Sequence, residues 1–258
     1  MTDVVVSAEW LTDHREEVCV VDTRDAWEYD GIGHVPGAVN VPFDSYRGDD
    51  GEMGKLPGAA RFAELLGAAG VSTDDRIVAY DDTHGVFAAR LLVTAELYGH
   101  DSAKLHLLDG DFSAWQRRFE TASGGVDPEP TTYEAAFDTE GPLITIDEVR
   151  AAIDAGATLV DTREAWEYEE GHIEGAVRLD WRELVDDETR GLLPESDLRD
   201  LLAERGVEPE DRIVLYCNTA RRISHTYTVL RHLGYPDLAF YEGSLTEWER
   251  EGGDLVTG

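Results

Sequence analysis

The sequence predicts an α/β protein of two tandem domains, each a parallel β-sheet with helices on both faces. Two observations carry that expectation: the chain repeats itself once, and within each copy short β-rich runs alternate with helical stretches. The repeat comes in three blocks in one order. VVDTRDAWEYDGIGHVPGAV (20–39) returns as LVDTREAWEYEEGHIEGAV (159–177), GVSTDDRIVAYDD (70–82) as GVEPEDRIVLYCN (206–218), and LLDGDFSAW (107–115) as FYEGSLTEW (240–248). Asp22 thus pairs with Asp161, His34 with His172, Tyr80 with Tyr216 and Trp115 with Trp248. Three matched blocks read as duplication of a whole domain, and 258 residues suit two small domains.

The elements follow in order. Ser7 is placed to cap the first helix of copy one, and Thr145 with Glu148 forms a capping-box pattern opening copy two. In copy two, ATLVD, GAVRLD, RIVLY and LAFYE read as strands, with SDLRDLLAERG and RRISHTYTVLRHLG as helices between them. Such alternation argues for a parallel sheet covered on both faces. Residues 119–142, rich in Gly, Pro and Thr, read as a linker draped over the surface, so the domains are expected at 1–118 and 143–258. The tryptophans at 27, 115, 166 and 248 read as core or cover residues.

Composition narrows the function classes. Asp and Glu number 55 against 22 Lys and Arg, a formal charge of −33. That surface repels nucleic acid and anionic lipid, so neither is an expected partner. Only Lys55 and Lys104 are lysines, and acid excess with so little Lys suggests a halophile, whose concentrated salt screens self-repulsion. No apolar run approaches the ~18 residues of a membrane span. The start, MTDVVVSAEW, lacks the basic segment and apolar core of an export signal, so a cytoplasmic chain is expected. Two cysteines, Cys19 and Cys217, make no disulfide framework, and no Cys/His pair has metal-ligand spacing. Neither a metal nor an organic cofactor is expected.

In sheets of this kind, sites form beyond the carboxyl ends of the strands. Here those segments are 161–163 (DTR), 217–222 (CNTARR) and 242–244 (EGS). Cys217 directly follows a strand run and precedes a helical pattern, where backbone N–H groups and the helix dipole converge to favour a nucleophilic thiolate. Arg221 and Arg222 add positive charge. Cys19, inside EVCVVD, reads instead as a small buried apolar residue. Asp161 and Arg163 are candidate pocket residues. Asp22 and Arg24 stand equally in the copy without the cysteine, which favours a structural pair at the strand end, and His34 and His172 fall under the same argument.

A family resemblance now becomes visible. Tyr168, His172, Ile173, Gly175 and Ala176 resemble the first signature of the rhodanese domain, and His34, Val35, Pro36, Gly37 and Ala38 carry it in copy one. The stretch Tyr241 to Trp248 resembles the second signature, and the Cys217 loop stands where the family's catalytic loop stands. The resemblance, to the tandem sulfurtransferases, covers nearly the whole chain and implies a five-stranded parallel sheet in each domain. Asp81 occupies the cysteine position of copy one, which implies a non-catalytic first domain.

The implied chemistry is covalent sulfur transfer. The Cys217 thiolate attacks the outer sulfur of thiosulfate, sulfite leaves, and cyanide or a thiol removes the persulfide sulfur. A protein acceptor is a further candidate. Backbone N–H groups of Asn218, Thr219, Ala220, Arg221 and Arg222 are expected to stabilise the sulfur anion. Arg222 is the first candidate to hold the anionic donor, and Arg221 the second. The loop lacks the Cys-Gly-Ser-Gly pattern of the 3-mercaptopyruvate type and departs from the thiosulfate pattern at Asn218 and Ala220. Vertebrate-type members also carry an arginine four residues after that of the Asp-x-Arg motif, and here that position is Glu167, which leaves the donor open. Two rivals are weighed. A phosphatase loop needs Cys-x5-Arg, which would put the arginine where Ile223 stands. A sulfur-carrying or partner-binding module without enzyme activity is the other.

Overall fold

The computed structural model of the chain describes residues 3–48, 55–218 and 220–258. Its contacts divide it into two units, residues 1–141 with 187–192, and residues 142–186 with 193–258. No helix among the described residues is long and apolar enough to cross a membrane.

Unit one runs β1 (Val5–Val6), α1 (Ala8–His14), β2 (Cys19–Asp22), α2 (Ala26–Gly31), β3 (Val39–Asn40), α3 (Ala59–Ala68), β4 (Ile77–Tyr80), α4 (Val86–Leu97), β5 (Leu105–Leu108) and α5 (Phe112–Trp115). Its sheet has the order β1-β5-β4-β2-β3, all pairs parallel. The central strand β4 is buried along its whole length, which is why Ile77-Val-Ala-Tyr80 reads as an unbroken apolar run. One face packs Val21, Ile77, Ala79 and Leu107 against Phe62, Leu66 and Leu91; the other packs Val20, Val78 and Tyr80 against Leu11, Phe112 and Trp115. Ser7 caps α1 as expected, its side chain accepting the Trp10 N–H at 3.1 Å.

Residues 119–141 lie along unit one. Ala122 bridges His34, Thr131 N–H donates to the Gly67 carbonyl, and Ala136 N–H to that of Tyr98. A Cβ at Gly67 would stand 2.8 Å from the Thr131 oxygen, so glycine is required in α3 where this segment crosses. Within the same unit Arg190 is gripped through Nε by both Asp111 oxygens, at 2.7 and 2.8 Å.

Unit two runs α6 (Ile146–Asp154), β6 (Thr158–Asp161), α7 (Ala165–Glu170), β7 (Val177–Arg178), α8 (Glu195–Glu204), β8 (Ile213–Tyr216), α9 (Arg221–His232), β9 (Leu238–Phe240) and α10 (Ser244–Arg250). The sheet order is β7-β6-β8-β9, again all parallel. It has four strands rather than the five expected. Where the fifth would lie, Leu143 makes a single parallel bridge to Phe240, too short a pairing to form a strand. The Thr145–Glu148 capping box is present in both directions.

Two of the four tryptophans read as core or cover residues are neither. Trp115 and Trp248 are buried, but Trp27 is 65% and Trp166 62% exposed. Both occupy the second position of their helices, α2 and α7, and their indole N–H groups reach only the carboxylates of Asp25 and Glu164 at the helix start.

Candidate active site

The site of unit two forms at the carboxyl ends of β6, β8 and β9. Cys217 follows β8 immediately and is fully buried. Its N–H donates to Ser244 Oγ at 3.2 Å, and its carbonyl accepts the Leu245 N–H at 2.9 Å. Both partners lie at the start of α10, which therefore fixes the loop at its first residue. Asn218 is held next, its carbonyl accepting the Thr246 hydroxyl at 3.0 Å. Thr219 lies outside the described residues. Ala220, with φ 65°, turns the chain into α9, and its carbonyl accepts the Ser224 hydroxyl. The first N–H groups of α9 have no partner within the helix, which leaves this turn rich in donors.

Unit one shows what such a loop accepts. There Asp81 stands at the position of Cys217, and its carboxylate takes four backbone N–H bonds. Oδ1 accepts from Thr83 (2.7 Å) and Gly85 (2.8 Å), and Oδ2 from Phe87 (2.7 Å) and Ala88 (3.0 Å). Burial lifts the Asp81 carboxyl above its ordinary range, and the four donors act against that lift. The Phe112 N–H donates to the Asp81 carbonyl as the Leu245 N–H does to that of Cys217, and His84 matches Ala220 with φ 55°. The loop is thus an anion cradle, and in unit one the chain's own carboxylate occupies it.

The Asp161–Arg163 pair is buried at the end of β6. Arg163 Nε lies 2.9 and 3.0 Å from the two Asp161 oxygens, and Nη2 donates to Asp161 and to the Gly171 carbonyl. Asp22 and Arg24 repeat this arrangement, with Gly33 as the carbonyl partner. The copies part at the remaining nitrogen. Arg163 Nη1 reaches Asn218 Oδ1 at 3.3 Å, whereas Arg24 Nη1 is buried with no hydrogen-bond partner among the described residues. His172 stacks on Tyr168 and bonds its carbonyl, as His34 does on Tyr29, so both close the turn after their helix.

Arg222 and Arg221 differ sharply. Arg222 is forked onto Glu167, with Nη1 2.5 Å from Oε2 and Nη2 2.8 Å from Oε1. Glu167 also accepts Asn218 Nδ2 at 2.7 Å and the Glu164 N–H at 3.1 Å. Burial pushes the Glu167 carboxyl up, but the Arg222 guanidinium, the Glu164 N–H and the Arg163 charge outweigh it and hold it below its ordinary range. For Arg222, burial opposes the charge; Glu167 and the nearby Cys217 sulfur more than compensate. Arg221 is exposed and makes no ion pair among the described residues.

The structure therefore joins Arg163, Asn218, Glu167 and Arg222 into one network adjoining the cysteine. Sequence reasoning noted Glu167 as a departure without finding its partner, and it placed Ser244 within the EGS segment at the end of β9 without giving it a role. Among the described residues no group of three or more His, Cys, Asp or Glu side chains is placed to hold a metal ion.

The family model for the rhodanese-like domain matches residues 7–118 and again 145–251. The chain is 32% identical over 283 residues to a Haloferax volcanii protein named provisionally as a thiosulfate sulfurtransferase, covering 98% of this chain and 94% of that one. It is 31% identical to the thiosulfate sulfurtransferase of Corynebacterium glutamicum, over 95% of this chain and 87% of that one. Among solved structures, that of SseA from Escherichia coli, a 3-mercaptopyruvate sulfotransferase, superposes with a TM-score of 0.82 at 26% identity, covering 94% of this chain and 99% of that one. With both halves matched and relatives aligned over nearly its whole length, the chain belongs to the rhodanese-like family, with two such domains in tandem.

Proposed function

We propose that the protein is a rhodanese-type sulfurtransferase that moves a sulfane sulfur from thiosulfate to a thiol or cyanide through a persulfide on Cys217. The Cys217 thiolate attacks the outer sulfur of the donor, a new S–S bond forms, and the S–S bond to the sulfonate breaks with its electron pair leaving on sulfite. An acceptor then attacks the outer sulfur of the persulfide, and the pair returns to Cys217 as thiolate. The observation that carries this reading is the Asp81 carboxylate in its cradle of four N–H groups. By the alignment of the two loops, the N–H groups of Arg221, Ile223 and Ser224 stand where those of Gly85, Phe87 and Ala88 stand around the Asp81 carboxylate, and fixed donors of that kind stabilise negative charge as it moves between sulfur atoms. Only a thiol can take up sulfur there, so unit one is non-catalytic. Burial of Cys217 favours exclusion of water from the persulfide.

A second donor, 3-mercaptopyruvate, is favoured by the likeness to SseA. Arg221, exposed at the start of α9, makes no ion pair among the described residues and is available to an anionic donor, while Arg222 is forked onto Glu167 and engages the donor only by sharing its guanidinium between the donor and that carboxylate. The test is mass spectrometry of the chain after incubation with each donor in high salt. The expected result is one added sulfur atom on the Cys217 peptide, absent in Cys217→Ala and released by cyanide as thiocyanate. Sulfur gained only from mercaptopyruvate would reassign the donor. No adduct with either would end the enzyme reading and leave a binding module.

A further inference from the structure

We propose that Glu167 is a built-in competitor for Arg222: its carboxylate yields the guanidinium when an anionic donor binds and takes it back as sulfite leaves. The inference rests on the sulfurtransferase reading and concerns how that site releases its anions. Arg222 faces Glu167 with two nitrogens, Nη1 2.5 Å from Oε2 and Nη2 2.8 Å from Oε1. The same fork is what an arginine offers to a sulfonate-like head, so carboxylate and donor contend for one set of N–H groups. Arg222 is the second residue of α9, directly after the loop that carries Cys217, and its charge and that of the sulfur act on one another.

Glu167 can let go because its place does not depend on the arginine. When the fork opens, Oε1 keeps Asn218 Nδ2 at 2.7 Å and Oε2 keeps the Glu164 N–H at 3.1 Å. Unit one shows such a carboxylate standing with no arginine at all. There Glu28 matches Glu167 and accepts the Asp25 N–H at 3.2 Å, while Val86 stands at the position of Arg222. The fork is thus added to a capping bond that holds without it. Charge gives the exchange its use. Glu167 cancels Arg222 and Asp161 cancels Arg163, which leaves Arg221 as the one unmatched charge of these groups. Thiosulfate and sulfite carry the same kind of anionic head, so an uncontested Arg222 would hold product as firmly as donor. Binding of that kind lowers the donor concentration needed without speeding the chemistry, and it delays release. Because the pair is mostly buried, with side chains 9% and 15% exposed, salt screens it less than it screens the outer surface.

The experiment measures sulfite binding to the persulfide-free chain by calorimetry, and sulfur loading from thiosulfate by mass, at fixed pH and salt. Glu167→Gln is expected to tighten sulfite about tenfold, the effect of one unit of charge ~10 Å away in a partly buried site. The thiosulfate concentration for half-maximal loading is expected to fall by about the same factor, with no gain in the saturated loading rate. A Glu167 that merely props Arg222 toward the donor gives the opposite sign, so weaker or unchanged sulfite binding overturns the proposal. In an Arg222→Gln background the substitution of Glu167 is expected to leave sulfite affinity within about twofold. A tenfold gain that persists there also overturns it, since Glu167 would then act without Arg222. Should Glu167→Gln fail to fold, side-chain NMR of the wild-type protein decides. Saturating sulfite is expected to move the Arg222 guanidinium and Glu167 carboxylate signals together, and signals that stay in place overturn the inference. A chain that takes up no sulfur from thiosulfate or mercaptopyruvate loses the sulfurtransferase reading and this inference with it. Loading with unaltered sulfite affinity in the variant removes the inference alone.

Discussion

Glu167 and Arg222 stand 55 residues apart, and no spacing rule connects them. Only the parallel pairing of β6 and β8 brings the turn after one strand beside the loop after the other. That is why the place of Cys217, between a strand and a helix, was legible in the sequence while its neighbour's partner was not: a strand-to-helix turn is announced by local context, an ion pair across a sheet is not. The Asp161–Arg163 pair lies two residues apart and was legible for that reason. The Glu167 ion pair also carries a pH signature. Burial acting alone would raise the carboxyl, and its cationic partners bring it below the ordinary glutamate value of 4.5. A group depressed in the folded state stabilises the fold above its unfolded value and loses that contribution as pH falls through the folded one. Glu167→Gln is therefore expected to cost about 1–3 kcal/mol at pH 7, discounted for partial exposure. In urea titrations the gap between wild type and variant closes as pH falls below 4.5. A gap of the same size at low pH would refute the linkage. Of the two cysteines, Cys19 is pushed up to about 12, by burial first and then by Asp75. Cys19→Ala is accordingly expected to leave sulfur uptake intact, which peptide mass mapping reads directly.

At the scale of elements, the buried strands announced themselves because Val, Ile, Leu and Tyr crowd β2, β4, β6 and β8. The edge strands β1 and β3 of unit one did not, since each is two residues long and two residues carry no pattern; β7, equally short, was read only within the longer run GAVRLD. The same brevity explains the missing fifth strand of unit two, reduced to one bridge at Leu143. Trp27 and Trp166 were misjudged because helix position, rather than residue type, decides burial: the second residue of a six-residue helix points away from the sheet in both copies. The loop between β4 and α4 offers the sharpest test of an element. Its four N–H groups converge on one carboxylate, and an amide in that place presents an NH₂ group to donors that need an acceptor. Asp81→Asn is expected to destabilise unit one by about 2–4 kcal/mol, well above an ordinary lost hydrogen bond. Amides of residues 83–88 should then exchange with solvent faster than those of β4. Unchanged exchange would mean that α4 packing, not the cradle, holds the loop.

The whole molecule carries 55 acidic side chains against 22 basic ones, so even complete pairing leaves the formal excess of −33. The arginines seen in ion pairs, such as Arg163, Arg190, Arg205 and Arg222, are already committed. The remaining carboxylates repel one another over a Debye length of about 10 Å at 0.1 M salt and about 3 Å at 1 M. Screening is therefore nearly complete by about 0.5 M, where the Debye length falls below the spacing of neighbouring surface charges. Further salt acts only by strengthening apolar burial, which grows gradually and without saturation. These two effects predict a two-phase dependence of the thermal midpoint on KCl. A steep rise of about 10 °C is expected up to roughly 0.5 M, where a few kcal/mol of relieved repulsion is worth that much in domains of this size. A shallow, continuing slope follows. Sucrose, which strengthens burial without screening, should reproduce the slope but not the step. If the midpoint climbed evenly from the first addition of salt, repulsion would not limit this fold, and the acidic surface would have to act through hydration instead.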